Sequence, residues 1–314
     1  MDGSIIIQIV LLIVGFVFLI KGSDFFVDGS SSIASLLKIP TIIVGLTIVA
    51  FGTSAPEAAV SITSSLAGNN AMAVSNVIGS NLFNILMVIG VSALLGDLLM
   101  EKSVLNKDLP FLVAITVLFA AFILIGWNIT SIEGIILLAI LIAYVLYLIR
   151  SSKKSKDANK VEKAKLSLPV SIIFIVVGLA GIILGGDLVV KSASSIAMAL
   201  GMSETLVGLT IVAIGTSLPE LVTSLTALKK GENQIVIGNV IGSNIFNILF
   251  VLGASSAISE IPLDSSMLID VIFMIAVTIL FFIFGKTQEK YDKKEGIILV
   301  ALFIGYMTFA ILRN

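Results

Sequence analysis

The sequence predicts an all-α polytopic membrane protein of about ten transmembrane helices in two inverted five-helix repeats. The first observation is composition: the 314 residues are 58% hydrophobic and only 12% charged, whereas soluble domains carry roughly 25% charged residues. The second is a duplication. Gly45–Gly90 returns without a gap as Gly208–Gly253, with 27 of 46 positions identical at a constant offset of 163 residues. The third is parity. Each half holds about five apolar runs, and an odd number forces the second half to enter the membrane with the opposite orientation.

The runs follow in order. Ile5–Ile20, Ile42–Leu66, Met72–Leu95, Leu109–Ile125 and Ile132–Ile149 fill the first half. Val170–Leu184, Leu206–Leu228, Ile235–Ile258, Leu268–Phe284 and Gly296–Leu312 repeat them in the second. A helix needs about 20 residues to cross a hydrocarbon layer of roughly 30 Å, fewer where it is short or re-entrant. Similarity extends beyond the central stretch: Gly22–Ala34 matches Gly185–Ala197, and Glu133–Ala139 matches Glu295–Ala301. The expected organisation is a first five-helix repeat at 1–150, a basic cytoplasmic linker at 151–165 and an inverted second repeat at 166–314. The start, MDGSIII, has no basic region or small-residue cleavage pattern before its apolar run, so it reads as a retained first span.

Charge tests the parity independently. With the N-terminus outside and the linker inside, 17 of the 19 lysines and arginines lie inside, and only Lys191 and Arg313 lie outside. That is a strong positive-inside bias, and it predicts a plasma (inner) membrane protein in this orientation. The linker lysines read as a solvated connection; an anionic-lipid sensor is the sharper alternative, against which stand Asp157 and Glu162 within the run. The longest polar stretch is Ser151–Lys165, so there is no room for a soluble catalytic domain, and an enzyme is not expected. No nucleic-acid partner, obligate protein partner or cofactor is indicated; the lipid bilayer is the expected surrounding. The chain has no cysteine and no histidine, which excludes disulfides, thiolate or imidazole metal ligation and histidine proton relays. A bound ion must then be hard and held by oxygen.

Each copy of the central stretch carries one carboxylate, Glu57 or Glu220, among apolar and small hydroxyl residues. An ionised carboxylate at membrane depth costs roughly 2.5 kcal/mol or more and marks a functional site. In AFGTSAPE, helical spacing puts Ala50, Thr53, Ser54 and Glu57 on one face. Pro56 removes the bond to the carbonyl four residues back and loosens that turn beside Gly52, freeing carbonyl oxygens to face a cavity. Ala213, Thr216, Ser217, Pro219 and Glu220 repeat the arrangement. The next run adds Asn76, Ser80 and Asn84 at spacing four, matched by Asn239, Ser243 and Asn247. Carboxylate, hydroxyl, amide and carbonyl oxygens suit sodium and calcium. Taken singly, such Ser, Thr and Asn residues often only bond a neighbouring helix, but no basic residue lies inside either motif run to neutralise the glutamates. Gly79 and Gly242 permit close helix approach. Asp24 and Asp187 also repeat; beside glycines near the predicted ends of their runs, they read as caps or a water-facing mouth.

GTSAPE with SNVIGSNLFN, and GTSLPE with GNVIGSNIFN, resemble the two α-repeats of the calcium/cation antiporter superfamily, on its sodium/calcium exchanger branch. The resemblance covers essentially the whole chain. It implies exchange of sodium against calcium by alternating access, with calcium and sodium as transported substrates. It also implies a ligand set: Glu57, Thr53, Ser54, Ser80, Asn84 and the Ala50 carbonyl, with Glu220, Thr216, Ser217, Ser243, Asn247 and the Ala213 carbonyl. Potassium-dependent relatives place Asp where this chain has Asn247, so the resemblance does not carry potassium co-transport. Nor does it carry regulation by the large cytosolic calcium-sensing domains of vertebrate exchangers, which this chain lacks. A calcium/proton antiporter is the alternative, with the two glutamates as proton carriers, although the acidic motifs of such relatives differ from GTSxPE. A passive cation channel is a further one.

Overall fold

The structure is a computed structural model, and the residues described are 3–152, 164–202, 207–262 and 267–313. Most of the predicted linker, 153–163, therefore lies outside the described residues. Each repeat supplies six helical elements. The first has α1 (Gly3–Leu37), α2 (Thr41–Thr53), α3 (Ala55–Leu66), α4 (Asn70–Leu95), α5 (Val104–Leu124) and α6 (Ser131–Ser152). The second has α7 (Leu168–Ala199), α8 (208–215), α9 (Leu218–Lys229), α10 (Asn233–Ile258), α11 (Leu268–Gln288) and α12 (Lys293–Arg313).

Among the described residues, eight helices are long and apolar enough to cross a membrane, and the α2–α3 pair, bent by 48°, makes a ninth span. The tenth expected span corresponds to α8–α9, which repeats that broken pair but begins beside the undescribed residues 203–206. The break is local chemistry. Pro56 and Pro219 sit in the first turn of α3 and α9, where a missing N–H costs nothing. Ser54 and Ser217, just before them, leave helical geometry with ψ near 6°.

Two predicted boundaries move. The first runs of the two repeats do not end near Ile20 and Leu184: α1 is 35 residues long and α7 is 32. Asp24 and Asp187 are thus inside continuous helices, and the capping role expected of them is wrong. The reason is helix pairing. Gly15, Gly22 and Gly29, seven apart, lie against Gly185, Gly178 and Ser171, also seven apart. Rising numbers on α1 meet falling numbers on α7, so these equivalent helices run antiparallel, as inversion requires. The backbones touch: a Cβ on Gly22 would lie 2.7 Å from the Ile182 amide nitrogen, and one on Gly178 would lie 2.5 Å from that of Phe26. Small residues at such an interface replace hydrophobic burial as the adhesive in lipid.

The core sits around α4 and α10, whose most apolar windows are 78% and 94% buried, against 17% for α1 and 22% for α7. Two-residue strands clasp the halves at their loops. Leu98–Leu99 pairs antiparallel with Lys290–Tyr291, and Asn128–Ile129 with Ile261–Pro262. Each clasp joins the loop after the fourth helix of one repeat to the loop before the last helix of the other.

Candidate cation site

α2–α3 and α8–α9 meet α4 and α10 at their breaks. There Glu57 and Glu220 are both fully buried, as are Thr53, Ser54, Ser217, Ser243, Asn84 and Asn247. Ser80 and Thr216 are buried as well. Ser54 Oγ donates to Glu220 Oε1 at 2.8 Å, and its counterpart Ser217 Oγ donates to Glu57 Oε1 at 2.9 Å. Each serine therefore serves the other repeat's carboxylate. Sequence spacing put Ser54 and Glu57 on one helical face; the turn at Ser54 instead directs that hydroxyl across the repeat interface. Ser80 Oγ lies 3.5 Å from Glu57 Oε1.

The pseudo-two-fold relation holds in the surrounding bonds. Asn76 Nδ2 reaches the Glu57 carbonyl at 3.3 Å and Ser61 Oγ at 2.9 Å; Asn239 Nδ2 reaches the Glu220 carbonyl at 3.4 Å and Ser224 Oγ at 3.0 Å. These amides tie each carboxylate-bearing helix to the next one. Asn239 Oδ1 also accepts from Thr53 Oγ1 at 3.0 Å and from Ser243 Oγ at 3.4 Å.

Asn81 and Asn244 were not singled out from the sequence. Asn84 Nδ2 donates to Asn244 Oδ1 at 3.1 Å, and Asn247 Nδ2 donates to Asn81 Oδ1 at 3.2 Å. This orients both amides with their oxygens turned away from the bonds they make. The signal was present, since both residues repeat within SNLFN and SNIFN, but their spacing placed them off the expected stripe.

Of the buried oxygens without a hydrogen-bond donor among the described residues, four belong to this site: Glu57 Oε2, Glu220 Oε2, Asn84 Oδ1 and Asn247 Oδ1. They form two repeat-related pairs. Buried acceptors without partners are costly unless something positive meets them. Neither glutamate forms an ion pair with a lysine or arginine among the described residues. The same residues contain no group of three or more His, Cys, Asp or Glu placed to hold a metal ion together. The donor set is two carboxylates with neutral oxygens, which suits hard cations.

The two alanine carbonyls differ. That of Ala50 already accepts the Ser54 N–H at 3.0 Å and faces the hydroxyls of Thr53, at 3.4 Å, and Ser243, at 3.5 Å. In the second repeat the Ser217 N–H bonds Ile214 O at 3.1 Å, so the turn after Ala213 is wound more tightly. Asp24 and Asp187 are apart from this cluster. Asp24 pairs with Lys230 at 3.5 Å and Lys21 at 3.8 Å, and Asp187 pairs with Lys191 at 2.8 Å.

A sequence profile described as sodium/calcium exchanger protein matches residues 7–150 and again 170–312. The chain belongs to the sodium/calcium exchanger family. It is 39% identical to CaxA of Alkalimonas amylolytica over 313 residues, covering 96% of this chain and 98% of that one. It is 31% identical to the sodium/calcium exchanger MaX1 of Methanosarcina acetivorans over 346 residues, covering 96% and 98%. The solved sodium-calcium exchanger NCX_Mj, soaked with sodium and strontium ions, superposes with a TM-score of 0.86 at 30% identity, covering 97% of this chain and 99% of its own. This exchanger is therefore an integral membrane transport protein with the two-repeat helical architecture of its family.

Proposed function

We infer that this exchanger moves calcium one way and sodium the other through the site around Glu57 and Glu220, by alternating access. The observation that carries this is the set of four donor-free buried oxygens, two from carboxylates and two from amides, arranged symmetrically across the repeats. The wider ligand set is Thr53, Ser54, Ser80 and the Ala50 carbonyl, with Thr216, Ser217, Ser243 and the Ala213 carbonyl. With both glutamates ionised the pocket carries about two negative charges. One calcium ion, or sodium ions competing for the same oxygens, match that charge. Empty, the pocket cannot readily pass between its two access states, because unpaired buried charge costs several kcal/mol. Obligatory exchange follows, and sodium entering down its gradient drives calcium out.

Potassium is not required. Asn247 and Asn84 offer neutral oxygens, and the two other carboxylates that repeat between the halves, Asp24 and Asp187, are already paired with lysines. The N-terminus is external and the 151–165 linker cytoplasmic, in a plasma (inner) membrane, with repeats at 1–150 and 166–314.

The test is calcium uptake into proteoliposomes with sodium, potassium or proton gradients imposed in turn and the membrane potential clamped. Only the sodium gradient should drive uptake, and replacing potassium with choline on both sides should leave the rate unchanged. Uptake driven by protons, or calcium flux persisting without any counter-ion, would overturn the reading.

A further inference from the structure

The two repeats match in sequence but differ in how their peripheral helices cover the carboxylate-bearing ones. Glu220, Thr223, Ala227 and Lys230 follow at helical spacing, so one face of α9 leads from the buried carboxylate to the end of the helix. Thr223 and Ala227 are fully buried on that face. The same face of α3 runs through Glu57, Val60, Ser64 and Ala67. There Val60 and Ser64 are only half-buried and Ala67 is exposed. One way to the carboxylates is covered, and its inverted counterpart is not.

The cover on α9 is α1, whereas among the described residues α7 makes no comparable contact along α3. Polar bonds hold α1 in place. Ser23 Oγ lies 3.1 Å from Thr223 Oγ1, and Ser31 Oγ donates to Glu232 Oε1. Between them, Lys230 Nζ meets Asp28 Oδ2 at 2.9 Å, the Asp24 carbonyl at 2.8 Å and Asp24 Oδ1 at 3.5 Å. None of these links is encoded in the other repeat. At the offset of 163, Gly186 and Val60 replace Ser23 and Thr223, Lys191 replaces Asp28, Ala67 replaces Lys230 and Asn69 replaces Glu232. Asp187 pairs instead with Lys191 on its own helix at 2.8 Å, and the buried hydroxyl of Ser194, the counterpart of Ser31, has no partner.

We propose that Lys230, with Asp24 and Asp28, is a one-sided latch that shuts the path from its own end of the molecule to Glu220. On the alternating-access reading, on which this rests, the latch makes the state open at the opposite end the resting one. Inverted repeats exchange conformations when access switches, so the alternate state lays α7 along α3 and frees α9 from α1. Lys230 then loses both carboxylates, and Ala67 offers Asp187 nothing in return. A single exposed ion pair would tilt the balance little. Here, however, a lysine side chain only 21% exposed meets two carboxylates and a carbonyl together. Ions arriving at the opposite end find the site already accessible, while each opening at the Lys230 end must first break the latch.

Ala227→Cys and Ser64→Cys place single thiols on the two faces of a chain with no cysteine of its own. With the full-length exchanger in lipid nanodiscs, where both ends meet solvent, a charged thiol reagent should modify position 64 quickly and position 227 slowly. Adding Lys230→Gln or Asp28→Asn should speed labelling at 227 about fivefold and slow it at 64 to about half. Those changes follow if the balance of states moves roughly tenfold, from about 10:1 to about 1:1. Lys230→Arg, which keeps the charge, and Lys229→Gln, at the exposed neighbour, should leave both rates in place. Unchanged labelling at 227 in Lys230→Gln would overturn the latch. So would a rise at 227 without the fall at 64, since α1 would then only be fraying. Sodium-driven calcium uptake into proteoliposomes separates this from the transport reading. No uptake by the wild type overturns that reading, whereas uptake with unchanged labelling overturns the latch alone.

Discussion

Ser54 and Ser217 show how much a single torsion decides. Each stands where a helix breaks, and each hydroxyl crosses to the carboxylate of the other repeat. A hydrogen bond to a charged group contributes about 1.5–3 kcal/mol, so the crossed pair couples the two halves at the point where ions would bind. Asn81 and Asn244 act one step further out, holding the amides of Asn247 and Asn84 so that their oxygens stay unpaired. This gives a graded expectation for calcium binding, measured by isothermal titration. Glu57→Gln and Glu220→Gln each remove half the pocket's charge and should weaken calcium binding by a hundredfold or more, following the roughly 3–5 kcal/mol cost of breaking a buried charge pair. Asn81→Ala, which removes only the orienting acceptor, should cost about tenfold. Near wild-type binding by either glutamine variant would mean that the two carboxylates are not the site.

At the scale of elements, the helices divide by what they touch. α4 and α10 are buried and carry the asparagines; α1 and α7 face lipid and pack on each other through backbone contact. Short π-helical turns recur at equivalent places, Gly45–Val49 with Gly208–Val212 and Asn84–Ile89 with Asn247–Leu252. Such turns are uncommon and concentrate at functional sites. Here they begin at Asn84 and Asn247 and precede Ala50 and Ala213, shifting the helix phase beside the carboxylates. The α1–α7 contact leaves no room for a side chain. Gly22→Leu should lower the thermal midpoint in detergent, with a destabilisation of about 1–3 kcal/mol or more from overpacking against backbone. Gly305→Leu, where an added Cβ meets nothing within 4 Å, is the control that should leave the midpoint in place. Equal midpoints for the two variants would show that α1 and α7 are not in backbone contact.

For the whole molecule, inversion is visible as antiparallel pairing of equivalent helices: α1 with α7, and α4 with α10, where Asn84 meets Asn244 and Asn81 meets Asn247. The lysine count proposes which end faces the cytoplasm. The chain has no cysteine of its own, so single cysteines report cleanly. An impermeant maleimide applied to intact cells should label Ser4→Cys and spare Ser155→Cys. The reverse pattern would invert the molecule.

The membrane class, the duplication, the inversion and the two glutamates were all legible in the sequence, because each rests on a property that accumulates along the chain. Hydropathy sums over some twenty residues, repeat identity over forty-six, and a lone carboxylate stands out against an apolar background. The ends of the first helices were not legible. Apolarity stops near Ile20, but α1 continues to Leu37 because a second helix with glycines at matching spacing lies against it, and Asp24 finds Lys230 from the far half of the chain. Nor could spacing show that Ser54 would leave its own glutamate for Glu220, or that Asn81 would hold Asn247. Those bonds join residues 166 positions apart. Periodicity describes one helix at a time, whereas partners across an inverted repeat exist only once both breaks and both π-helical turns have set the angles at which four helices meet.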